Sequence, residues 1–178
     1  MTAVDAGLAV SIALGSFDRG DPVDGRGLHG LVRRFRDGDP DAATVALRAV
    51  MDLLGREPEP RSPQIAAIAV PAHDGQAGGA LAGLLARVAA DAGWHVPGPD
   101  VLVRSTAVLE AKRRPPRDPA AELASLRWYG DAVPANVTTV LLVDDVLASG
   151  ATLNACRAAL RRDGWRGEVR ALVLARTG

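Results

Sequence analysis

Residues 140–152 combine two groups of side chains suited to binding a phosphorylated sugar. The apolar run VLLV is followed by adjacent carboxylates, Asp144 and Asp145, and then by small residues from Ala148 to Thr152. Carboxylates accept hydrogen bonds from sugar hydroxyls. Small residues that lead into a helix let backbone N–H groups converge on a phosphate, which the positive end of the helix dipole also attracts. The segment thus offers both faces that a ribose 5-phosphate needs.

The same segment predicts its own place in a fold. Four apolar residues in a row at 140–143 are typical of a parallel strand that is covered on both faces and therefore does not alternate apolar with polar residues. The two carboxylates would then stand at the carboxyl end of this strand. Open parallel sheets bind ligands at that edge, so the position alone indicates function.

Apolar strands and helices alternate from residue 65 onward. The pattern predicts strands over 65–70, 101–103, 138–145 and 169–175, and helices over about 77–92, from about 118, and over 152–162. This alternation predicts an α/β fold with a doubly wound, mostly parallel central sheet and helices on both faces.

The first 62 residues have a different organisation. They contain a short strand candidate at 8–14 and apolar residues at helical spacing over 28–35 and 45–54. Asp39 and Pro40 provide an N-cap and a first position for the second helix. The proline-rich stretch 57–63 predicts a connector, so we expect an N-terminal part over 1–62 and a core over 63–178, together forming one compact unit.

Composition excludes several classes of function. The 178 residues hold 21 Lys plus Arg and 21 Asp plus Glu, so no overall positive field favours a nucleic-acid partner. The apolar run at 6–14 is too short to cross a membrane, and we expect no membrane partner. Cys156 is the single cysteine and is expected to pack inside a helix rather than act as a nucleophile. A reducing cytoplasm is the expected compartment.

The segment VLLVDDVLASGAT resembles the phosphoribosyl pyrophosphate (PRPP) signature of type I phosphoribosyltransferases. The resemblance implies the type I fold with a small N-terminal hood formed by residues 1–62. It implies that Asp144 and Asp145 hold the ribose 2- and 3-hydroxyls. It also implies that the 5-phosphate is wrapped by Ala148, Ser149, Gly150, Ala151 and Thr152.

Weaker parts of the resemblance extend over most of the chain. The AVPAHDG stretch corresponds to the pyrophosphate loop, which implies a role for Ala72, His73 and Asp74. Arg104 stands where the family often has a diphosphate-binding arginine, and Lys112 lies with three arginines in the segment of the mobile catalytic loop. The LVRRFRDGD stretch and the general layout resemble the competence-associated (ComF-type) branch.

The resemblance implies a pentosyltransferase that moves the 5-phosphoribosyl group from PRPP to a small-molecule acceptor and releases pyrophosphate. Lys112, Arg104, Asp144 and Asp145 would be the catalytic residues. The expected cofactor is Mg²⁺, held mainly through PRPP, with Asp144 and Asp145 as additional ligands. Many relatives dimerise, so a homodimer is a further expectation.

A second function is open beside this one. The chain has QAGGALAG where the ComF-type branch has an arginine-rich stretch, and the signature alone does not separate binding from turnover. The alternative is a non-catalytic protein of the same fold that binds PRPP or a nucleotide as a regulator or accessory factor.

Simpler interpretations exist for single residues. VLLVDD also opens receiver domains, but only 26 residues follow Thr152, too few for the rest of such a domain. His73 and the cluster around Lys112 are alternatively solvated loop residues. A set of basic residues near the end of the first helix is most simply a solvated helix face, with a border of the acceptor pocket as the alternative; it comprises Arg33, Arg34 and Arg36.

Replacing Lys112 tests the expected catalytic loop. Lys112→Ala should lower kcat more than it weakens PRPP binding, because a charge that closes over the departing pyrophosphate acts mainly in the transition state. Steady-state kinetics and calorimetry of PRPP binding measure the two effects. Equal losses in kcat and in PRPP affinity would mean that Lys112 only binds the ground state.

Overall fold

The computed structural model describes residues 8–18, 27–56, 62–72, 79–105 and 119–178. Its strands are β1 (Ala9–Phe17), β2 (Ile65–Ala69), β3 (Leu102–Arg104), β4 (Leu126–Trp128), β5 (Thr139–Leu147) and β6 (Glu168–Thr177). Its helices are α1 (Leu28–Arg36), α2 (Pro40–Leu54), α3 (Gly79–Ala92), α4 (Pro119–Ser125) and α5 (Ala151–Arg162).

Four strands form one parallel sheet in the order β1-β6-β5-β2. In β5, Val140 and Leu142 are fully buried and Val143 nearly so. Strand β5 pairs with β2 on one side, from Ile65 opposite Thr139, and with β6 on the other. The prediction that the apolar run at 140–143 is a central parallel strand is therefore confirmed.

Helices cover both faces of this sheet. On one face, α1, α2 and α3 pack against alternate sheet residues such as Ala67, Val143 and Leu172. On the other face, α5 packs against the intervening residues, among them Val140 and Leu142. The predicted α/β class with helices on both faces of a parallel sheet is thus correct, and the arrangement is compatible with a doubly wound fold.

The helices that follow β2 and β5 lie on opposite faces. Strand β2 leads to α3 and β5 leads to α5, although the two strands are neighbours in the sheet. Their connections therefore diverge at the carboxyl ends and leave a crevice between them. This is the switch point at which open parallel sheets bind ligands.

The N-terminal part contributes to the same sheet. Strand β1 pairs in parallel with β6, and α2 packs on α3. The Asp39 carboxylate accepts hydrogen bonds from the N–H groups of Asp41 and Ala42, both at 2.9 Å, which confirms the predicted N-cap of α2. The division near residue 62 and the hood role of the first part stay predictions.

One predicted strand lies outside the central sheet. Strand β3 pairs antiparallel with β4 in a separate two-stranded sheet, with Leu102 opposite Trp128. At the edge of β2 that β5 does not cover, a single residue, His95, makes the backbone hydrogen bonds. Its N–H donates to the Ile65 carbonyl and its carbonyl accepts from the Ala67 N–H, both at 2.9 Å. The expectation that 101–103 extends the parallel sheet was therefore wrong.

Among the helices of the described ranges, none has both the length and the apolar composition that crossing a membrane requires.

Candidate functional site

Asp144 and Asp145 lie near the end of β5 and contact different parts of the fold. Asp145 binds Arg36 of α1, on the face that carries the first three helices. Asp144 acts electrostatically on the thiol of Cys156 in α5, on the opposite face. Successive residues of a strand point to opposite faces, so the two carboxylates diverge from a common backbone.

Asp144 is partly buried, and its carboxylate accepts the backbone N–H of Asp145 at 2.8 Å. Burial is the main cause that raises the pKa of Asp144 from 3.8 to about 7, and the negative charge of Asp145 adds to it. The hydrogen bond from the Asp145 N–H and the positive charge of Arg36 act in the other direction. The acidic pair therefore holds a proton easily near neutral pH.

Asp145 is neutralised by a two-point contact with Arg36. The Nε and Nη2 atoms of Arg36 donate to different oxygens of the carboxylate, Nη2 at 2.6 Å. The Asp145 side chain is 20% exposed and that of Arg36 is 55% exposed. The same contact raises the pKa of Arg36.

The small residues after β5 form the entry to α5. Gly150 has a φ of 77°, a left-handed conformation that side chains with a Cβ rarely adopt, and α5 begins at the next residue. The Ser149 hydroxyl accepts from the Ala151 N–H at 3.4 Å. The first N–H groups of a helix have no carbonyl partner within it, so this loop offers donors to an anion.

A cavity of about 580 Å³ joins the acidic pair to this loop. It lies at the crevice between β2 and β5, and its wall includes Val70, Pro71 and Ala72 after β2. The volume falls within the usual range for small-molecule sites. The lining residues from β5, its loop and α5 are Asp144, Asp145, Val146, Leu147, Ala148, Ser149, Gly150, Ala151, Thr152 and Leu153.

The structure thus brings together most of the predicted PRPP-binding residues. Asp144, Asp145 and the residues 148–152 share one cavity, and Ala72 of the predicted pyrophosphate loop lines it as well. His73, Asp74 and Lys112 lie outside the described residues, and their predicted roles stay predictions.

Arg104 is not brought to this cavity. Its guanidinium is buried and donates to Glu122 at 2.7 Å and to Ser125 at 3.2 Å, both on α4. The side chains of Arg104 and Glu122 are 0% and 7% exposed. A role of Arg104 on a diphosphate would require this ion pair to break, and it stays a prediction.

Cys156 is buried in α5, in agreement with the expected packing role. Burial strongly raises the pKa of its thiol, so the nucleophilic thiolate is disfavoured.

Arg36 lines the cavity, whereas the sequence favours a solvated helix face for it together with Arg33 and Arg34, with a pocket border as the alternative. It stands in a run of three arginines within four residues, and only the structure separates them. Arg33 pairs with Asp37 at 3.9 Å and Arg34 with Asp39 at 3.8 Å, both at the surface. The sequence offers no signal that separates the three, since Arg33 and Arg36 each follow a buried residue and the partner of Arg36 is 109 residues away.

The acidic pair provides only part of a metal site. Asp144 and Asp145 supply carboxylate oxygens, the ligand type that Mg²⁺ prefers, but the described ranges contain no group of three His, Cys, Asp or Glu side chains. Mg²⁺ commonly takes one or two carboxylates and completes its shell with water and substrate phosphates. The pair therefore fits an ion held mainly by its substrate.

No protein-family model, curated protein or solved structure matches this chain.

The raised pKa of Asp144 predicts how stability changes with pH. Between about pH 4 and pH 7 the folded state keeps a proton that the unfolded state releases, so the free energy of unfolding falls as pH rises. Asp144→Asn removes this penalty, and its amide oxygen can still accept the Asp145 N–H. The variant should gain about 1–3 kcal/mol over the wild type at about pH 8 and little at about pH 4.

Urea denaturation at the two pH values measures this difference, with Asp131→Asn at an exposed position as the control. A gain of the same size at both pH values would contradict the assignment of the shift to Asp144.

Proposed function

We propose that the protein binds PRPP in this cavity and transfers its 5-phosphoribosyl group to a small-molecule acceptor, as in type I phosphoribosyltransferases. The observation that carries the proposal is the shared cavity. An acidic pair and a helix-entry loop, three to eight residues apart in sequence, line one cavity at the switch point of a parallel sheet. A ribose 5-phosphate has hydroxyls for the first and an anion for the second.

The ribose would bind at the acidic pair. Each carboxylate has about four acceptor positions, so Asp144 and Asp145 can take hydrogen bonds from the 2- and 3-hydroxyls. Asp145 keeps acceptor capacity although Arg36 occupies one position on each oxygen. In this role both carboxylates must be ionised, so ribose binding would have to release the proton that burial of Asp144 keeps on the pair near neutral pH.

The 5-phosphate would bind at the loop 148–152. Gly150 turns the chain so that α5 begins at Ala151, and the N–H groups of the first turn are free of helical carbonyls. Ser149 and Thr152 add hydroxyl groups at the cavity wall. The helix dipole contributes roughly half a positive charge at this end, which stabilises a phosphate without a lysine or arginine.

The proposed reaction breaks the bond between C1 of the ribose and the pyrophosphate oxygen and forms a bond from C1 to the acceptor nucleophile, which loses its proton. Pyrophosphate leaves with the bonding electrons. C1 gains positive character on the way, so the protein must hold both groups in line and exclude water. Bound Mg²⁺ would neutralise charge on the diphosphate, and Lys112 would add a positive charge there.

A non-catalytic PRPP or nucleotide binder is the second candidate, and one observation favours it. Among the described residues that line the cavity, the one cation is Arg36, and its charge is already paired with Asp145. Arg104 is likewise paired with Glu122. Such a site would hold a ribose 5-phosphate. Neutralising the negative charge of the departing pyrophosphate would then depend on other segments, such as the one that contains Lys112.

We place this activity in the cytoplasm and expect no membrane partner. The single cysteine is a buried free thiol, which a reducing compartment preserves.

The acidic pair is tested by removing both charges. Asp144→Asn combined with Asp145→Asn should reduce PRPP binding by about a hundredfold or more, because two charge-assisted acceptors for the ribose are lost. Calorimetry of PRPP with Mg²⁺ measures this, and thermal melting checks the fold. Asp131→Asn, an exposed acidic position, serves as control. Unchanged PRPP affinity in the double variant would end the proposal.

Catalysis is tested by release of pyrophosphate. The wild-type chain with PRPP, Mg²⁺ and a panel of acceptors should release pyrophosphate only when the right acceptor is present, with a matching mass increase of that acceptor. PRPP binding without acceptor-dependent release across the panel would favour the non-catalytic candidate.

A further inference from the structure

The contact between Arg36 and Asp145 fixes the orientation of a carboxylate as well as neutralising its charge. The Nε and Nη2 atoms of Arg36 each donate to a different oxygen of Asp145. Such a bidentate pair fixes the plane of a carboxylate as well as its charge, because the guanidinium is planar and its donors are parallel. The contact therefore defines the direction in which the remaining lone pairs of Asp145 point.

The two carboxylates of the acidic pair depend on different supports. Asp144 is held locally, by the backbone N–H of the next residue at 2.8 Å. The Asp145 side chain is held by two hydrogen bonds from Arg36, and its other close neighbour is the Asp144 carboxyl group. Arg36 is thus the cation that fixes this carboxylate, whereas the negative charge of Asp144 repels it.

The backbone of Arg36 is well placed to act as such a support. Two of its neighbours in α1, Val32 and Phe35, are each 2% exposed and pack against the sheet and its helices. The helix ends at Arg36 in a Schellman motif, in which the Gly38 N–H binds Phe35 and the Asp39 N–H binds Arg34. Asp39 is also the N-cap of α2, so the end of α1 is held both by the packing of Val32 and Phe35 and by its direct link to α2.

We propose that Arg36 is a positioning residue that orients the Asp145 carboxylate to accept a ribose hydroxyl. This inference rests on the proposed function of the cavity. Arg36 acts through Asp145 and leaves acceptor capacity on both of its oxygens. The N-terminal part of the chain, through α1, thereby becomes part of the sugar-binding site rather than only a cover for it.

Competition between Arg36 and the sugar would have the opposite effect on sugar binding. If the guanidinium occupied the place of the ribose hydroxyls, its removal would strengthen sugar binding. If α1 only needed Arg36 for stability, its removal would weaken binding at both ends of the cavity equally. The three roles therefore differ in the direction and the selectivity of the effect.

The test compares two ligands that share the phosphate loop. Ribose 5-phosphate uses the acidic pair and the loop, whereas inorganic phosphate uses the loop only. In the full chain, Arg36→Gln should weaken ribose 5-phosphate binding about tenfold, since an oriented, charge-assisted acceptor is lost. Inorganic phosphate should bind within about twofold of the wild type because the hydrogen bonds of the Arg36 guanidinium go to Asp145 and not to the loop. Phosphorus NMR titrations measure both affinities.

Two further variants control for charge and for helix stability. Arg36→Lys keeps the positive charge but loses the two parallel N–H donors of the guanidinium. It should bind ribose 5-phosphate more tightly than Arg36→Gln and more weakly than the wild type. Arg33→Gln removes an arginine from the same turn of α1, 66% exposed and paired with Asp37, and should change neither affinity. Thermal melting of each variant confirms that α1 remains folded.

A double-mutant cycle closes the test. If Arg36 acts through Asp145, Arg36→Gln should cause no further loss of ribose 5-phosphate affinity in an Asp145→Asn background. Equal or tighter binding by Arg36→Gln alone, or a parallel loss of phosphate binding, overturns the positioning role but leaves the proposed function intact. Failure of the wild-type chain to bind ribose 5-phosphate and PRPP overturns both.

Discussion

Strand β5 is buried between two parallel neighbours and is covered by helices on both faces. Val140 and Leu142 are inaccessible to solvent, and burial of such side chains stabilises the fold by roughly 1.5–3 kcal/mol each. The strand continues through Asp144 and Asp145 to Leu147, which is again buried, so the two carboxylates lie within the paired strand rather than beyond it. The fold therefore brings both charges close to the packed sheet.

Charge burial is the cost of this arrangement, and the fold meets it in two ways. Burial raises the pKa of Asp144, so this residue keeps a proton more easily, and the backbone hydrogen bond from Asp145 only partly offsets that shift. Asp145 stays next to a cation, Arg36, which comes from a distant part of the chain. The two chemically identical residues thus have different supports, and only Asp145 depends on the N-terminal part of the chain.

A second buried charge pair shapes the neighbouring region. Arg104 and Glu122 join β3 to α4 on the face that carries α5, and breaking such a pair typically costs about 3–5 kcal/mol. The pair holds together the ends of the described segments on either side of residues 106–118. This structural role explains why an arginine stands at the end of β3 without facing the cavity.

Local physical chemistry was sufficient for most of the elements, although β4 was not predicted. The unbroken apolar run at 140–143 predicted a central strand, Asp39 before Pro40 predicted a helix start, and the small residues 148–152 predicted the entry into a helix, since each depends on neighbouring residues only. The grouping of the acidic pair with residues 148–152 was readable for the same reason.

Tertiary structure alone decided which charges meet. The pairing of Arg36 with Asp145 spans 109 residues and that of Arg104 with Glu122 spans 18, and each joins a residue of a helix to a residue of a strand. Strand β3 pairs with β4 outside the parallel sheet, and the backbone of His95 makes the hydrogen bonds at that edge of β2. The amino-acid sequence by itself determined most of the strands, the helix starts and the grouping of the acidic pair with residues 148–152. Sheet order and helix placement determined which arginine reaches that group, because a contact between distant residues depends on how the elements pack.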